Sequence, residues 1–286
     1  MGEDGASALA ASEAPLLFGG YKTSRAADRW RSILCHGNCF TVKPWTIDDD
    51  GPSMPASLSL ARKVGAEFIG TFMLVFASTA AAIIDHQSGG AVTLLGLAAC
   101  SGIAAMIIIL STGHISGAHL NPSVTIAFAT FKHFSWEKVL VYIAAQMSAS
   151  LCAAFTLKAI FHPGLGEGVT VPSGTAGAAF LMEFIIGFNL MFVTTAVATD
   201  VRAVGELAGI AVGATVTMNS LIAGRISGAS MNPARTLGPA MAANDYKAIW
   251  VYFTAPILGT LTGAGAYSAV KLRDDDATPT MRSFRR

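Results

Sequence analysis

The chain has 286 residues, of which 52% are hydrophobic and only 13% are charged. A soluble globular domain usually carries about 25% charged residues, so this composition argues against an ordinary water-soluble enzyme. The formal net charge of +1 is too small to indicate nucleic acid or another polyanion as a partner.

Six long stretches of the chain are nearly free of charged side chains. Only Glu67, Lys158 and Glu183 interrupt them. Each stretch approaches or exceeds the roughly 20 residues that an α-helix needs to cross the hydrocarbon core of a bilayer. We therefore predict an all-α membrane protein with six transmembrane helices, at residues 64–84, 93–111, 139–161, 177–199, 207–224 and 248–270.

The two ends of the chain differ from this apolar region. Residues 1–60 and 273–286 are rich in polar and charged side chains and lack sustained periodicity, which predicts two disordered tails around a membrane domain at residues 61–272. Most basic residues near the helix ends would share one face of the membrane, which predicts that both termini are cytoplasmic. These residues are Arg62, Lys63, Lys132, Lys138, Arg202, Lys271 and Arg273.

The membrane domain contains an internal repeat. Residues 113–125 align without gaps to residues 224–236, and eight of the thirteen positions are identical. Glu67-Phe-Ile and Glu183-Phe-Ile also begin the first and fourth stretches in the same way. The first repeat is predicted at residues 61–161 and the second at residues 177–272. Because each holds three crossings, the two must be inverted in the membrane.

Each repeat carries an Asn-Pro pair in the long loop between its second and third helix, at residues 112–138 and 225–247. Asn is a preferred N-cap and Pro is favoured at the first helical position, so Asn121-Pro122 and Asn232-Pro233 each predict a helix start. The apolar residues that follow suit two re-entrant half-helices. Irregular backbone at membrane depth is tolerated where protein buries it or where it lines a watery cavity, so two inverted loops predict a pore.

The paired motifs Asn121-Pro122-Ser123 and Asn232-Pro233-Ala234, together with Glu67 and Glu183, resemble the major intrinsic protein family of aquaporins and glyceroporins. The resemblance covers about residues 60–272. The residues around both motifs are most similar to plant nodulin-like intrinsic proteins. The resemblance implies an aquaporin-like channel domain, a homotetramer, residence in the plasma membrane, no catalysis and no cofactor.

The resemblance also implies a second constriction, built from four residues at fixed spacings from the motifs. In this chain the matching positions are Ser101, Ser220, Ala229 and Arg235. Water-selective members of the family carry bulky aromatic and His side chains there. Two serines and an alanine imply a wide, polar gate with hydroxyl donors and acceptors beside one guanidinium.

A wide polar gate suits small uncharged hydroxylated solutes. The resemblance implies a passive channel for metalloid hydroxides such as boric, arsenous and silicic acid, with glycerol, urea and some water. A channel mainly for water is one alternative. Two others are a secondary active transporter, since inverted repeats with broken helices also describe that class, and a structural membrane protein that conducts little.

The glutamates at 67 and 183 have two possible roles. Carboxylates inside a membrane are candidate proton carriers, which would favour an active transporter. Their symmetric placement matches family members in which these glutamates accept hydrogen bonds from the re-entrant loops, and this resemblance implies structural support.

No metal site is predicted. His114 and His119 lack Cys or carboxylate partners nearby in sequence, and Cys35 and Cys39 form only half of a zinc motif. Arg225, where relatives usually carry Pro, is predicted to lie solvated near the outer mouth.

Overall fold

The computed structural model describes residues 56–164 and 166–272, and regular structure in these ranges is entirely helical. A short 3-10 turn, Gly205–Leu207, precedes α6. The α-helices are α1 Ala56–Gln87, α2 Thr93–Ser116, α3 Pro122–Thr130, α4 Trp136–Phe161, α5 Ala176–Thr199, α6 Ala208–Ser227, α7 Pro233–Ala243 and α8 Ile249–Val270.

The six long helices, α1, α2, α4, α5, α6 and α8, confirm the six predicted crossings, since each is long and apolar enough to span a bilayer. Two helix ends differ from the prediction by more than three residues. Helix α1 begins at Ala56, inside the stretch predicted as tail, because Leu, Ala, Arg and Lys are good helix formers although two of them are charged. Helix α2 continues to Ser116 and ends at Gly117, whose φ is +88°. The first motif loop is therefore shorter than predicted.

The two shortest helices, α3 and α7, begin at the Asn-Pro pairs. They have 9 and 11 residues, and at 1.5 Å per residue each extends only about 15 Å, roughly half of the hydrocarbon core. Each starts with an extended Asn N-cap followed by Pro. The predicted pair of half-helices is confirmed.

The two repeats interlock through these half-helices. Helix α3 packs on α4 and on α8 of the second repeat, whereas α7 packs on α8 and on α4 of the first. Six crossings place the start of α1 and the end of α8 on the same side of the membrane, which we call the tail face, and the opposite side the far face. It follows that α3 enters from the tail face and α7 from the far face.

Glycines allow long helices to approach closely, both between the repeats and within the second repeat. Helix α2 crosses α6, and a Cβ added at Gly213 would lie 2.6 Å from the Gly102 carbonyl oxygen. Helix α5 crosses α8, where a Cβ at Gly259 would lie 3.0 Å from the Phe188 nitrogen. Close backbone approach at small residues is the usual way in which helices associate in lipid.

Candidate pore and its constriction

The two half-helices meet end to end, and their N-cap side chains bind each other's loops. Asn121 Nδ2 donates to the Met231 carbonyl at 2.8 Å, and Asn232 Nδ2 donates to the Leu120 carbonyl at 2.9 Å. Each Asn Oδ1 also accepts from the first turn of its own half-helix. Because a carboxamide has two N–H hydrogens, each Asn retains one donor for another partner.

The segments before the two Asn residues share an unusual backbone. Gly117, Ala118 and Leu120 have φ values of +88°, +45° and +55°. The equivalent residues of the second repeat, Gly228, Ala229 and Met231, have φ values of +80°, +48° and +56°. Left-handed backbone at Ala, Leu and Met is costly and persists only where its surroundings enforce it.

Two buried carboxylates hold these strained segments. Glu183 accepts hydrogen bonds from the Ser227 hydroxyl at 2.6 Å and from the Ser230 and Met231 amides at 2.8 and 2.7 Å. Glu67 has the same arrangement in the first repeat, with one additional donor. Its partners are Ser116 Oγ at 2.7 Å, His119 N at 2.9 Å, Leu120 N at 2.7 Å and Gln146 Nε2 at 2.9 Å.

Both Asn side chains line one cavity of about 110 Å³, which we call the main cavity because both Asn-Pro loops contribute to its wall. Most of its wall is apolar and includes Val124, Leu190 and Val212. The polar groups come from the two strained loops, from a few hydroxyls and from Arg235 of α7. Toward the tail face the cavity reaches the end of α5 and the start of α6. An apolar wall with one polar strip is suited to a small solute that has both hydroxyl and alkyl surfaces.

The four residues at the predicted second constriction, Ser101, Ser220, Ala229 and Arg235, lie together, and we call them the quartet. All four line the main cavity, and all four also line a second cavity of about 180 Å³ toward the far face. They therefore form the border between two cavities, which is where a constriction would be expected.

Sequence reasoning missed two contributors to this border. Ser78 of α1 lines both cavities together with the quartet. Gly168, in the far-face loop between α4 and α5, presents its carbonyl 3.5 Å from Arg235 Nη1. Thr71 and Thr79 also carry hydroxyls on the same helix, so the sequence does not single out Ser78. The sequence offers no signal for Gly168 either.

Of the other described residues singled out in the sequence, His119 lines the main cavity and the rest lie outside the walls of both cavities. Pro122, Ser123, Pro233 and Ala234 are buried in helix packing. His114 is exposed, whereas His119 is buried and packs against the rings of Phe128, Phe134 and Tyr142. Arg225 is exposed on the far face, and its carbonyl accepts from Ser173 Oγ at 2.6 Å. Cys35 and Cys39 lie outside the described residues.

A charged cluster fastens the tail-face loop beside the other end of the main cavity. Asp200 accepts from Arg202 Nε at 2.9 Å and from the Tyr267 hydroxyl at 3.0 Å, and Arg202 also donates to the Leu272 carbonyl. Hydrogen bonding to Arg202 lowers the pKa of the Asp200 carboxyl to about 2. The cluster ties the loop between α5 and α6 to the end of α8.

Six crossings, two inverted half-helices and a cavity shared by both Asn-Pro loops define a membrane channel. The chain belongs to the family described as Major intrinsic protein, which it matches over residues 54–267. It is therefore a channel protein of the aquaporin family and not an enzyme.

Among curated proteins, Aquaporin NIP6-1 of Arabidopsis thaliana is 59% identical over 94% of this chain and 92% of its own length. Aquaporin NIP3-1 of Zea mays is 62% identical over 80% of this chain and 77% of its own length. Among solved structures, the aquaglyceroporin from Plasmodium falciparum has a TM-score of 0.67 and 26% identity, covering 74% of this chain and 96% of its own. The expected similarity to the nodulin-like branch is confirmed.

Proposed function

We propose that this protein is a passive channel for small neutral hydroxylated solutes, above all metalloid hydroxides such as boric, arsenous and silicic acid, together with glycerol, urea and some water. The observation that carries this proposal is the quartet. Its two serines and one alanine leave space beside Arg235, where bulky side chains would leave a passage wide enough only for water.

The chemistry of the constriction suits a polyol-like solute. Ser78 and Ser101 donate their hydroxyl hydrogens to the Leu74 and Leu97 carbonyls at 2.9 and 3.0 Å, so they offer acceptor lone pairs to a solute. The Ser220 hydroxyl can donate and accept, whereas Arg235 only donates. Boric acid and glycerol carry several hydroxyls, each able to do both. A solute that pairs with the serines and the guanidinium together replaces much of the water that it loses on entering.

The field at the centre of the cavity favours neutral solutes over cations. The N-termini of α3 and α7 meet there, and each helix dipole contributes roughly half a positive charge at its N-terminus. Arg235 adds a full positive charge at the constriction. Boric and arsenous acids are uncharged near neutral pH, so they avoid this barrier.

We further propose that the protein is a homotetramer of the plasma membrane with its tail face in the cytoplasm. The orientation is supported by Arg62, Lys132, Lys138, Arg202 and Lys271, which all lie toward the tail face. Protease protection of a tag at residue 286 tests the orientation, and chemical cross-linking in membranes tests the assembly.

The direct test is stopped-flow light scattering on liposomes that contain the purified protein. We expect boric acid, glycerol and urea to enter far faster than they enter protein-free vesicles. Rapid water flux without solute flux would instead identify a water channel, and a lack of flux for all of them would favour a structural membrane protein.

The wide gate has a sharper test in Ser101→Trp, which places a large ring in the quartet. Glycerol and boric acid permeability should fall at least about tenfold, equivalent to ~1.4 kcal/mol in the barrier. Ser111→Trp is the matched control, because Ser111 lies on the same helix with its side chain exposed. Unchanged boric acid flux through a folded Ser101→Trp protein would contradict the wide gate.

A further inference from the structure

The far-face loop between α4 and α5 is attached both to α7 and to the end of α6. Thr170 Oγ1 lies 2.7 Å from Thr236 Oγ1, directly behind the second half-helix. Ser173 Oγ donates to the Arg225 carbonyl at 2.6 Å. Between α4 and these contacts lies Gly168, whose carbonyl faces Arg235.

The contact between Arg235 and Gly168 is long for a hydrogen bond. Its 3.5 Å separation is at the outer limit for an N–H donor, where the attraction falls steeply with distance. A small displacement of Gly168 therefore decides whether this guanidinium N–H is engaged by the protein or remains available to a solute. The position of this one loop carbonyl should therefore affect the relative permeability of the constriction to different solutes.

Glu167, the residue before Gly168, connects the loop to the end of α1. Its Oε1 lies 3.0 Å from His86 Nδ1, and its Oε2 accepts from Gln87 Nε2 at 3.2 Å. Gln87 Nε2 also lies 3.2 Å from the Phe161 carbonyl at the end of α4. The Glu167 side chain is only 11% exposed, whereas that of His86 is 71% exposed. The carboxylate is therefore enclosed between two helix ends and the loop.

Gly168 itself packs directly on α1. Its φ is +79°, and an added Cβ would lie 2.7 Å from Thr79 Cγ2 and 3.2 Å from Ile83 Cγ1. Helix α1 thus supports Gly168 from one side, presents Ser78 to both cavities and fastens Glu167 at its end. Movement at the end of α1 would be transmitted to the constriction through Glu167 and the adjacent Gly168.

We propose that Glu167, held by His86 and Gln87, is a positioning residue that fixes the Gly168 carbonyl beside Arg235 and so sets the relative permeability of the channel to different neutral solutes. The proposal rests on the function proposed above. It assigns a selectivity role to a carboxylate that does not itself line the main cavity.

The test compares Glu167→Ala and Glu167→Gln with the unaltered protein in liposomes, measuring glycerol, urea and water permeability in the same preparations. We expect Glu167→Ala to change the glycerol-to-urea ratio about threefold or more, which is typical of residues that couple to a site without touching its ligand. Glu167→Gln retains an amide oxygen for Gln87 and should keep the ratio within about twofold of the original.

The matched control is Glu137→Ala, which removes an exposed carboxylate on the tail face and should leave the ratio unchanged. Hydrogen exchange of amides 166–170 provides a second measurement that does not depend on transport. Exchange there should be about tenfold faster in Glu167→Ala, since the loop loses an attachment.

An unchanged permeability ratio in Glu167→Ala, with flux proportional to folded protein, would overturn the positioning role. Unchanged exchange at amides 166–170 would overturn the attachment on which that role depends. If the unaltered protein passed no solute faster than protein-free vesicles, the proposed function would fail, and the selectivity role with it. The reference measurement therefore separates the two failures.

Discussion

Asn121 and Asn232 each use one amide hydrogen to bind the opposite loop. A second hydrogen on each side chain is then available to a solute in the cavity. This division explains how the same residue can hold two strained loops together and still face the solute pathway. The second residue after each Asn-cap position is different, since Ser123 and Ala234 are buried and do not line the main cavity.

Ser123 is the clearest example at the scale of one residue. It is fully buried, and its hydroxyl makes no hydrogen bond within the part of the chain that the structure describes. Its backbone carbonyl accepts from Thr260, which Ala would preserve. We predict that Ser123→Ala leaves solute flux unchanged and leaves the melting temperature unchanged or raised, because an unsatisfied buried hydroxyl costs about 1–3 kcal/mol.

The second repeat offers a matched contrast in Ser230→Ala. Ser230 Oγ lies 2.7 Å from Thr236 Oγ1 and donates to the Asn232 carbonyl at 2.8 Å, so its loss should lower the melting temperature. Thermal unfolding in detergent and glycerol flux measure both variants. A loss of flux in Ser123→Ala beyond any loss of folded protein would show that this hydroxyl meets the solute.

The role of a residue was predictable from sequence where a motif determines its position. It was not predictable where the role depends on a tertiary contact. The positions of the quartet come from spacings that the family resemblance supplies, and the structure places all four in the walls of the same two cavities. Ser78 lacks such a spacing, because it reaches the quartet from another helix. The pairing of His86 with Glu167 depends on how a loop folds back over α1, which no local pattern encodes.

The half-helices are the elements on which the glutamates act. Glu67 and Glu183 each collect two backbone amides and one serine hydroxyl from the loop before a half-helix. We predict that Glu67→Gln and Glu183→Gln both lower the melting temperature, since Gln offers one acceptor oxygen instead of two. Each buried donor that loses its hydrogen bond in this way should cost about 1–3 kcal/mol of stability.

This pair of variants also separates a structural role from proton carriage. Glycerol flux per folded molecule should be insensitive to an imposed proton gradient in the unaltered protein and in both variants. A flux that follows the proton gradient in the unaltered protein and loses that response in Glu67→Gln would support proton carriage instead.

The tail-face cluster fastens another element, the loop between α5 and α6. The contribution of this cluster to stability should depend on pH, because the pKa of Asp200 falls from 3.8 to about 2 when Arg202 hydrogen-bonds the carboxylate. A lowered folded-state pKa contributes stability above the unfolded pKa of about 4, and this contribution is lost as pH falls toward about 2.

We predict that Asp200→Asn lowers the melting temperature by a similar amount at about pH 5 and about pH 7, and by less at about pH 3. Thermal unfolding in detergent measures this difference. Glu206→Gln, an exposed carboxylate on the same loop, is the control and should match the original protein throughout. If Asp200→Asn lowered the melting temperature by the same amount at about pH 3 as at about pH 7, the charge of Asp200 would not contribute to stability.

Element boundaries were less predictable than the elements themselves. The first uncharged stretch begins after Lys63, yet α1 begins at Ala56. Charge excludes a residue from the bilayer core but not from a helix, and long basic side chains suit the membrane interface. Helix α2 also extends beyond its predicted end at residue 111. The polar residues from Ser111 to His114 remain helical, and the helix ends only at Gly117.

At the scale of the whole molecule, the inverted repeat was the most predictable feature. Eight identities in thirteen residues and three crossings per repeat require that the two motif loops enter from opposite faces. The contact between these loops then follows from symmetry, which is why the reciprocal hydrogen bonds of Asn121 and Asn232 have nearly equal lengths. Symmetry does not determine the far-face loop, which has no counterpart in the repeat.

The whole molecule also determines whether transport is passive. A cavity lined by both repeats favours a channel, whereas an active transporter would close one end while the other opens. The decisive measurement is the internal glycerol concentration of proteoliposomes at equilibrium, with and without imposed proton and sodium gradients. A passive channel predicts rapid entry and equal concentrations inside and outside under every gradient, and glycerol accumulation driven by either ion would contradict it.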